Sequence, residues 1–311
     1  MTGSNLPAGP RFARGPAFFL AILLLFLIRI PCAMADFRIT ELPAELPGCT
    51  PDLSSLTICM IADLHLSANN RTRHIFTALT DHLNRLKPDI LLLGGDIFHG
   101  APGRDPKVLE EVWKEFLDRL TERPKLGIFA VLGNHDKRED AKEIRSLLQR
   151  SGVRVLTEST AALRVRTSTL YLAGTEHEPG EPFAPEFLKK LSSCRPLLLL
   201  AHYPELFDLV PNDAKILVLA GHTHGGVMNI PGLKKGELAS CLSPAHRTKY
   251  VFGSYGTAGG KQLYVTAGIG GEGSSGLRFN NPPEIVVIRL AGTVRTAARP
   301  PETGPASPAG N

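Results

Sequence analysis

Two histidines one residue apart, His222 and His224, sit in the glycine-flanked stretch "GHTHGG" (221–226). Neutral imidazole is the commonest metal ligand among side chains, and glycines let backbone and ligand approach closely. Alone, the pair reads equally as a polar turn with two solvated histidines, because short motifs match by chance. Four further stretches carry groups of the same kind. Asp63 and His65 stand in "DLH", Asp96 in "GGD", Asn134, His135 and Asp136 in "GNHD", and His202 in "AHY". Carboxylate, amide and imidazole are all metal donors, so the chemistry on offer is that of a metal centre.

Each stretch follows a segment that reads as a strand. "LTICMIA" (56–62), "DILLLGG" (89–95), "KLGIFAVLG" (125–133), "PLLLLA" (196–201) and "KILVLA" (215–220) are short apolar runs rich in branched side chains. If the extended backbone continues past Ala220, His222 and His224 point to the same face. Helical spacing of Ile75, Leu79, Leu83 and Leu86 predicts a helix over 71–87. Asp105-Pro106 supplies an N-cap and first-turn proline for a second helix over 107–120, and 139–150 reads as a third. This β-α-β-α-β order implies parallel pairing with helices outside. The second half is richer in strand: a hairpin over 163–174 and strands over 262–268 and 284–290, with a helix over 185–193. Two stacked sheets follow. Ligands of open α/β sheets sit beyond the carboxyl ends of strands. Five strand ends therefore deliver Asp63, His65, Asp96, Asn134, His135, His202, His222 and His224 to one edge, as a shared metal site.

Together these stretches resemble the signature of the calcineurin-like metallophosphoesterases: Asp-x-His, Gly-Asp, Gly-Asn-His-Asp/Glu, His and Gly-His-x-His. The resemblance spans Leu56 to Leu290. "GHTHGG" and the late stretch "LYVTAGIGGEGSSGLRFNNPPEI" (263–285) are closer to its membrane-associated bacterial branch of YkuE-like and YaeI-like phosphodiesterases. The resemblance implies an α/β fold, a four-layer α/β/β/α sandwich with two stacked mixed sheets. It implies two divalent ions. Asp63, His65, Asp96 and His224 would hold one; Asp96, Asn134, His202 and His222 the other. Asp96 would bridge, its two carboxylate oxygens serving both. Two-metal hydrolases hold their ions about 3.5–4 Å apart and activate the attacking water between them. A donor set without thiolate suits Mn, Fe or Zn.

In the family, the histidine matching His135 faces the substrate, stabilises the phosphoryl group and assists the leaving oxygen. Asp136 either orients it or serves a helix N-terminus. Two departures bear on specificity. Many relatives carry Asp or Glu where this chain has His99, and often Asp where it has "TEHEPG" (175–180). His99, Glu176 and His177 are thus candidates to shape the substrate pocket. Arg278 either binds phosphate or makes a structural ion pair. His74 and His82 read as solvated helix residues, and His246 as a surface loop residue.

The chain of 311 residues carries a formal net charge of +5. Its first 35 residues hold Arg11, Arg14 and Arg29 and no acid; without them 32 basic face 30 acidic residues. So balanced a body argues little for a nucleic-acid partner, and none is expected. Arg11 and Arg14 precede the apolar run "AFFLAILLLFLI" (17–28), and "AMA" (33–35) follows it. This reads as a signal peptide or N-terminal membrane anchor that places the body outside the cytoplasm of a bacterium. Cleavage would leave Cys49, Cys59, Cys194 and Cys241, whose pairing is not legible, although Cys59 reads as a buried thiol. The expected partition is leader or anchor over 1–35, linker over 36–55, metallophosphoesterase domain over 56–292 and disordered tail over 293–311. The leading function is hydrolysis of phosphodiester or pyrophosphate bonds at the membrane surface, on a lipid-linked or small phosphoester. One alternative is a UDP-2,3-diacylglucosamine-type pyrophosphate hydrolase of lipid A synthesis, a cytoplasmic reaction at odds with export. The other is an inactive metal-binding protein, against which every expected ligand is present. No protein partner is implied.

Overall fold

The computed structural model describes residues 37–67, 70–99, 105–183, 185–237, 248–256, 260–271 and 278–292. The expected leader (1–35), the expected tail (293–311), Cys241 and His246 lie outside the described residues.

The first half runs β1 (Arg38–Leu46), α1 (Pro51–Ser54), β2 (Ile58–Ile61), α2 (Asn70–Leu86), β3 (Ile90–Gly94), α3 (Pro106–Asp118), β4 (Gly127–Val131), α4 (Asn134–Arg150) and β5 (Val153–Val155). The second runs β6 (Ser159–Val165), β7 (Ser168–Thr175), α5 (Pro185–Leu191), β8 (Leu197–Ala201), α6 (Leu206–Leu209), β9 (Leu217–Ala220), β10 (Gly253–Gly256), β11 (Gln262–Val265) and β12 (Glu284–Gly292). Two six-stranded sheets result, ordered β1-β12-β2-β3-β4-β5 and β10-β11-β9-β8-β7-β6. β2, β3, β4 and β5 pair in parallel, as do β7, β8, β9 and β11. Antiparallel pairs β12–β2, β6–β7 and β10–β11 make both sheets mixed.

Side chains alternate across each strand, and here both faces are buried. Met60, Leu92, Phe129 and Val131 of the first sheet pack against Leu172, Leu198, Leu200 and Leu219 of the second. Cys59, Ile61, Leu91 and Leu93 face outward onto Leu79, Trp113 and Phe116. Leu197, Leu199 and Ala201 face the other way onto Phe187, Leu191 and Phe207. Three cores between four layers give the expected α/β/β/α sandwich. Burial on both faces explains why these strands read as continuous apolar runs.

Two expectations change. The stretch expected as a linker over 36–55 carries structure within its described residues: Arg38–Leu46 form β1, which pairs in parallel with β12 along nine residues, and Pro51–Ser54 form α1. Leu42, Ala44 and Leu46 are its buried alternate positions, while Pro43 is tolerated because the strand lies at the sheet edge. The third helix begins at Asn134 rather than near 139. Asp140 leaves helical geometry inside it (φ −153°, ψ 99°), which breaks the spacing that the sequence offers. Cys49, Cys59 and Cys194 carry free thiols, and burial pushes the Cys59 thiol up to about 12. Among the described residues no helix is long and apolar enough to cross a membrane.

Candidate metal centre

Every loop that carries an expected ligand leaves the same edge of the sandwich. Asp63 and His65 follow β2, Asp96 follows β3, Asn134 opens α4 after β4, His202 follows β8, and His222 and His224 follow β9. Five of these seven residues adopt left-handed backbone: Asp63 (φ 52°), His65 (48°), Asp96 (49°), His222 (71°) and His224 (48°). Such a conformation costs a non-glycine residue on the order of 1 kcal/mol or more, and persists where the surroundings impose it. His222 and His224 are thus not on extended backbone, and the expected two-residue alternation does not place them. The turn instead sends them to different groups.

In one group, ligand atoms of Asp63, His65 and His224 lie within 4.8 Å of one another. In the other, those of Asp96, His202 and His222 do the same. His65 Nε2 and His224 Nε2 face each other at 3.1 Å. His202 Nε2 lies 3.2 Å from His222 Nδ1 and 3.2 Å from Asn134 Oδ1. The groups meet at one atom: Asp96 Oδ2 is 3.4 Å from His202 Nε2 and 3.9 Å from His65 Nε2. Asp96 Oδ1 is not free, since it accepts the His135 backbone N–H at 2.7 Å. A shared role for Asp96 therefore falls on one oxygen rather than two.

Backbone partners aim the rings. His202 Nδ1 meets Gly94 O at 2.9 Å, and His224 Nδ1 meets Gly270 O at 3.1 Å. As Nδ1–H donors, both rings turn Nε2 inward as an acceptor. Two glycines are required for close approach. A Cβ on Gly133 would overlap the Asp96 carboxylate, and one on Gly268 would lie 2.6 Å from Asp63 Oδ2.

These residues fit divalent ions. Asp63 is wholly buried, yet its Oδ2 has no hydrogen-bond partner. A buried, unpaired carboxylate oxygen is costly unless a cation meets it. Without one, burial pushes the Asp63 carboxyl up, outweighing His224 and His202. Burial, with His224 beside it, holds His65 well below the usual imidazole range, in the neutral form a ligand needs. Burial would also raise Asp96, but the adjacent His202 holds it well below the carboxylate range. Burial disfavours a charge on His202, yet Asp96 lifts it to about 9. An ion entering the second group must therefore displace a proton from His202.

His135 stands in the first turn of α4, half-buried, its ring perpendicular to that of His65 at 4.7 Å between centroids. Burial lowers its pKa, and its Nδ1 is buried without a hydrogen-bond partner. His99 is brought to the same place, its ring 5.8 Å from that of His135 and nearly parallel (23°). His65, His99 and His135 form a third close group of ring nitrogens. Asp136 does not orient His135. Its carboxylate accepts the N–H groups of Gly133 (3.0 Å), Ile97 (3.1 Å) and Phe98 (2.9 Å), tying the β3 loop to the start of α4. Burial and the Asp96 charge push it up to about 7.

Other candidates are placed differently. Arg278, expected to bind phosphate or form an ion pair, is buried and turned onto backbone. It donates to Asn281 O (2.8 Å), Ala267 O (2.5 Å) and Gly270 O. Glu176 accepts from Arg145 (2.7 Å) and Thr157 (3.0 Å), and so clamps α4 to the loop after β7. His177 packs its ring on Phe183 at 4.8 Å. His74 is exposed, whereas His82 is half-buried against Phe37.

Sequence reasoning missed Tyr203, whose ring lies 4.4 Å from that of His222. It also missed the work of the late stretch. Asn281 Nδ2 donates to His224 O at 2.5 Å. The buried Glu284 accepts from Tyr264 (2.9 Å), Thr40 (2.6 Å), Thr266 (2.8 Å) and the Ala267 N–H (2.8 Å). A lone acidic residue opening an apolar strand was the only signal.

The sequence pattern of the calcineurin-like phosphoesterases matches residues 56–226. The chain is 29% identical to the phosphodiesterase YaeI of Escherichia coli, over 75% of this chain and 81% of that protein. It is 26% identical to the UDP-2,3-diacylglucosamine pyrophosphatase LpxG of Chlamydia trachomatis, over 81% and 88% respectively. It is 27% identical to the uncharacterized metallophosphoesterase YkuE of Bacillus subtilis, over 76% and 79%.

Proposed function

Since the chain belongs to the calcineurin-like phosphoesterases and is a hydrolase of that class, we propose that it uses two divalent ions to hydrolyse phosphodiester or pyrophosphate bonds at a membrane surface. The observation that carries this reading is the meeting of two ligand groups at Asp96 Oδ2. Asp63, His65 and His224 would hold one ion, His202, His222 and Asn134 the other, and Asp96 would contribute to both. Mn, Fe or Zn suits the donors. When bound, such ions offset charge on phosphoryl oxygens and acidify nearby water.

The chain's own groups do the rest. Asp136 fixes the loop that presents Asn134 and His135. His135, outside both ligand groups, meets the phosphoryl oxygens and hands a proton to the leaving oxygen. His99, stacked on it, lines the same pocket, and Tyr203 borders His222. The substrate is a phosphoester, and similarity to LpxG favours one that is lipid-linked. The same similarity supports a second reading, cleavage of a UDP-2,3-diacylglucosamine-type pyrophosphate. The leader's charge pattern supports an extracytoplasmic body instead, and so a different lipid-linked ester.

Turnover of bis-p-nitrophenyl phosphate by metal-loaded protein tests the hydrolase reading; an inert protein with both ions bound would leave only a metal-binding role. A screen of envelope lipids against UDP-diacylglucosamine separates the two substrate readings. A reporter active only outside the cytoplasm, fused after residue 50, decides between them independently. Its silence despite good expression would favour the cytoplasmic lipid precursor.

A further inference from the structure

The path of the chain puts its first described residues at the metal-bearing edge. Arg38 lies opposite Glu284, and β12 runs antiparallel to β2. Glu284 N–H in turn donates to Gly268 O at 3.0 Å, beside Asp63. The apolar run of the leader ends at Ile28. Fully extended, the residues between it and Phe37 reach at most roughly 30 Å. A bilayer that keeps that run therefore has this edge, rather than the opposite one, within short reach.

The same corner presents a surface suited to a bilayer. Residues 231–235 are exposed throughout, and Leu233 is 46% exposed. Lys234 and Lys235 follow it. Lys235 Nζ sits 4.2 Å from the centroid of the half-buried Phe252 ring, and the Arg38 guanidinium 5.1 Å from the same ring. Two exposed lysines thus follow the exposed Leu233, and Arg38, whose Nη1 is buried, backs the Phe252 ring. The nearby carboxylates are engaged: Glu237 accepts the Lys234 backbone N–H at 2.9 Å, and Glu41 pairs with Arg289 at 2.7 Å. This corner is also built onto the metal loop. Gly236 packs against Gly226, where a Cβ would lie 2.5 Å from the Gly236 nitrogen. Thr223, between His222 and His224, donates its hydroxyl to Val251 O at 2.6 Å, next to Phe252.

We propose that Leu233, Lys234, Lys235 and Phe252 form a docking surface for an anionic lipid bilayer, which holds the metal edge against the headgroups. Leu233 and Phe252 enter the boundary between headgroups and acyl chains, and the two lysines meet lipid phosphates. An exposed apolar side chain beside two exposed cations distinguishes this corner from a merely solvated basic loop, which has nothing to bury. The inference rests on the membrane-surface reading above and names how the site meets its substrate.

The test uses the full chain in vesicles of phosphatidylcholine and phosphatidylglycerol with brominated acyl chains. The protein's one tryptophan, Trp113, is in the core at 1% exposure. In Leu233→Trp the added indole therefore reports depth against a constant background. Its fluorescence should be quenched by brominated lipid. The quenching should fade in high salt, and the ratio of docked to undocked protein on vesicles that retain the chain should fall by about 10-fold or more when Lys234→Glu and Lys235→Glu are added. The double charge reversal should keep turnover of soluble bis-p-nitrophenyl phosphate while losing turnover of a vesicle-embedded phosphodiester. An unquenched indole on vesicles that retain the chain would overturn the docking surface, as would charge reversal that leaves quenching and embedded turnover intact. If wild-type protein fails on the soluble ester, the hydrolase reading is at fault; if it succeeds and the indole stays unquenched, only the docking fails.

Discussion

Asp96 and His202 are fixed by the ends of strands, whereas Asp63 and His224 lean on residues that lead into the last strand, and Asp63 Oδ1 in turn accepts the His222 N–H at 3.0 Å. In the group around Asp96, Asp96 Oδ1 is held by the His135 N–H at the start of α4 and His202 Nδ1 by Gly94 O at the end of β3. In the group around Asp63, His224 Nδ1 meets Gly270 O, Asn281 holds His224 O, and Gly270 N–H donates to Asp63 O at 2.7 Å. Arg278 then fastens that segment through three of its carbonyls. One ion site is thus a product of β-α-β topology and the other of a strap between β11 and β12. Changes to the strap should act on one ion, and changes at the meeting point on both.

Asp96→Asn is the largest test of that division, because Asp96 Oδ2 lies beside ligands of both groups, although Asp63 Oδ1 also accepts the His222 backbone N–H at 3.0 Å. An amide offers one neutral oxygen where a carboxylate offers charge. Metal assistance is worth several kcal/mol, so turnover should fall by about 10³-fold or more, with both ions lost in elemental analysis. Metal added at about 100 times its Kd should stabilise the wild type by roughly 2.7 kcal/mol, and the variant much less. Loss of only one ion would show that the groups do not share the residue. His135→Ala belongs to neither group. It should keep both ions and lose about 10²–10⁴-fold in turnover, more for an alkyl phosphodiester than for a p-nitrophenyl ester, whose leaving group needs little proton donation. An equal loss on both esters would assign His135 to the phosphoryl oxygens instead.

The same contrast marks what the sequence could say. β2, β3, β4, β8 and β9 are buried on both faces, so each reads as an apolar run, and the donors just past them are legible as one constellation. The division of His222 and His224 between two ions comes from the family resemblance and not from their spacing, because a left-handed backbone at a non-glycine residue leaves no mark on residue type. β1 is hidden because its exposed face reads Ile39, Glu41, Pro43, Glu45, and only an edge position tolerates that pattern. β10 is the glycine-bearing "GSYG" and has no apolar period. Arg278 reads as a cation seeking an anion. The three carbonyls that occupy it belong to Ala267, Gly270 and Asn281, up to eleven positions away and outside any strand or helix, a closure that no local pattern encodes.

Arg278→Lys gives the smallest of these effects and the sharpest separation of the two halves. Lysine keeps the positive charge that the buried Asp63 and Glu284 feel, but it lacks the planar fork that reaches three carbonyls at once. Gly270 O, which accepts from both Arg278 and His224 Nδ1, is the atom most directly loosened. Altering the partner behind a ligating imidazole typically costs about 10–100-fold in metal affinity. That loss should fall on the ion held by Asp63, His65 and His224, while the ion held by His202, His222 and Asn134 binds as before. Calorimetric titration of the metal-free protein should then show two separated binding steps where the wild type shows closer ones. If instead both steps weaken together and the thermal midpoint falls in proportion, Arg278 holds the fold and not the ion. The contrast between a strand-built and a strap-built site would then have no energetic content.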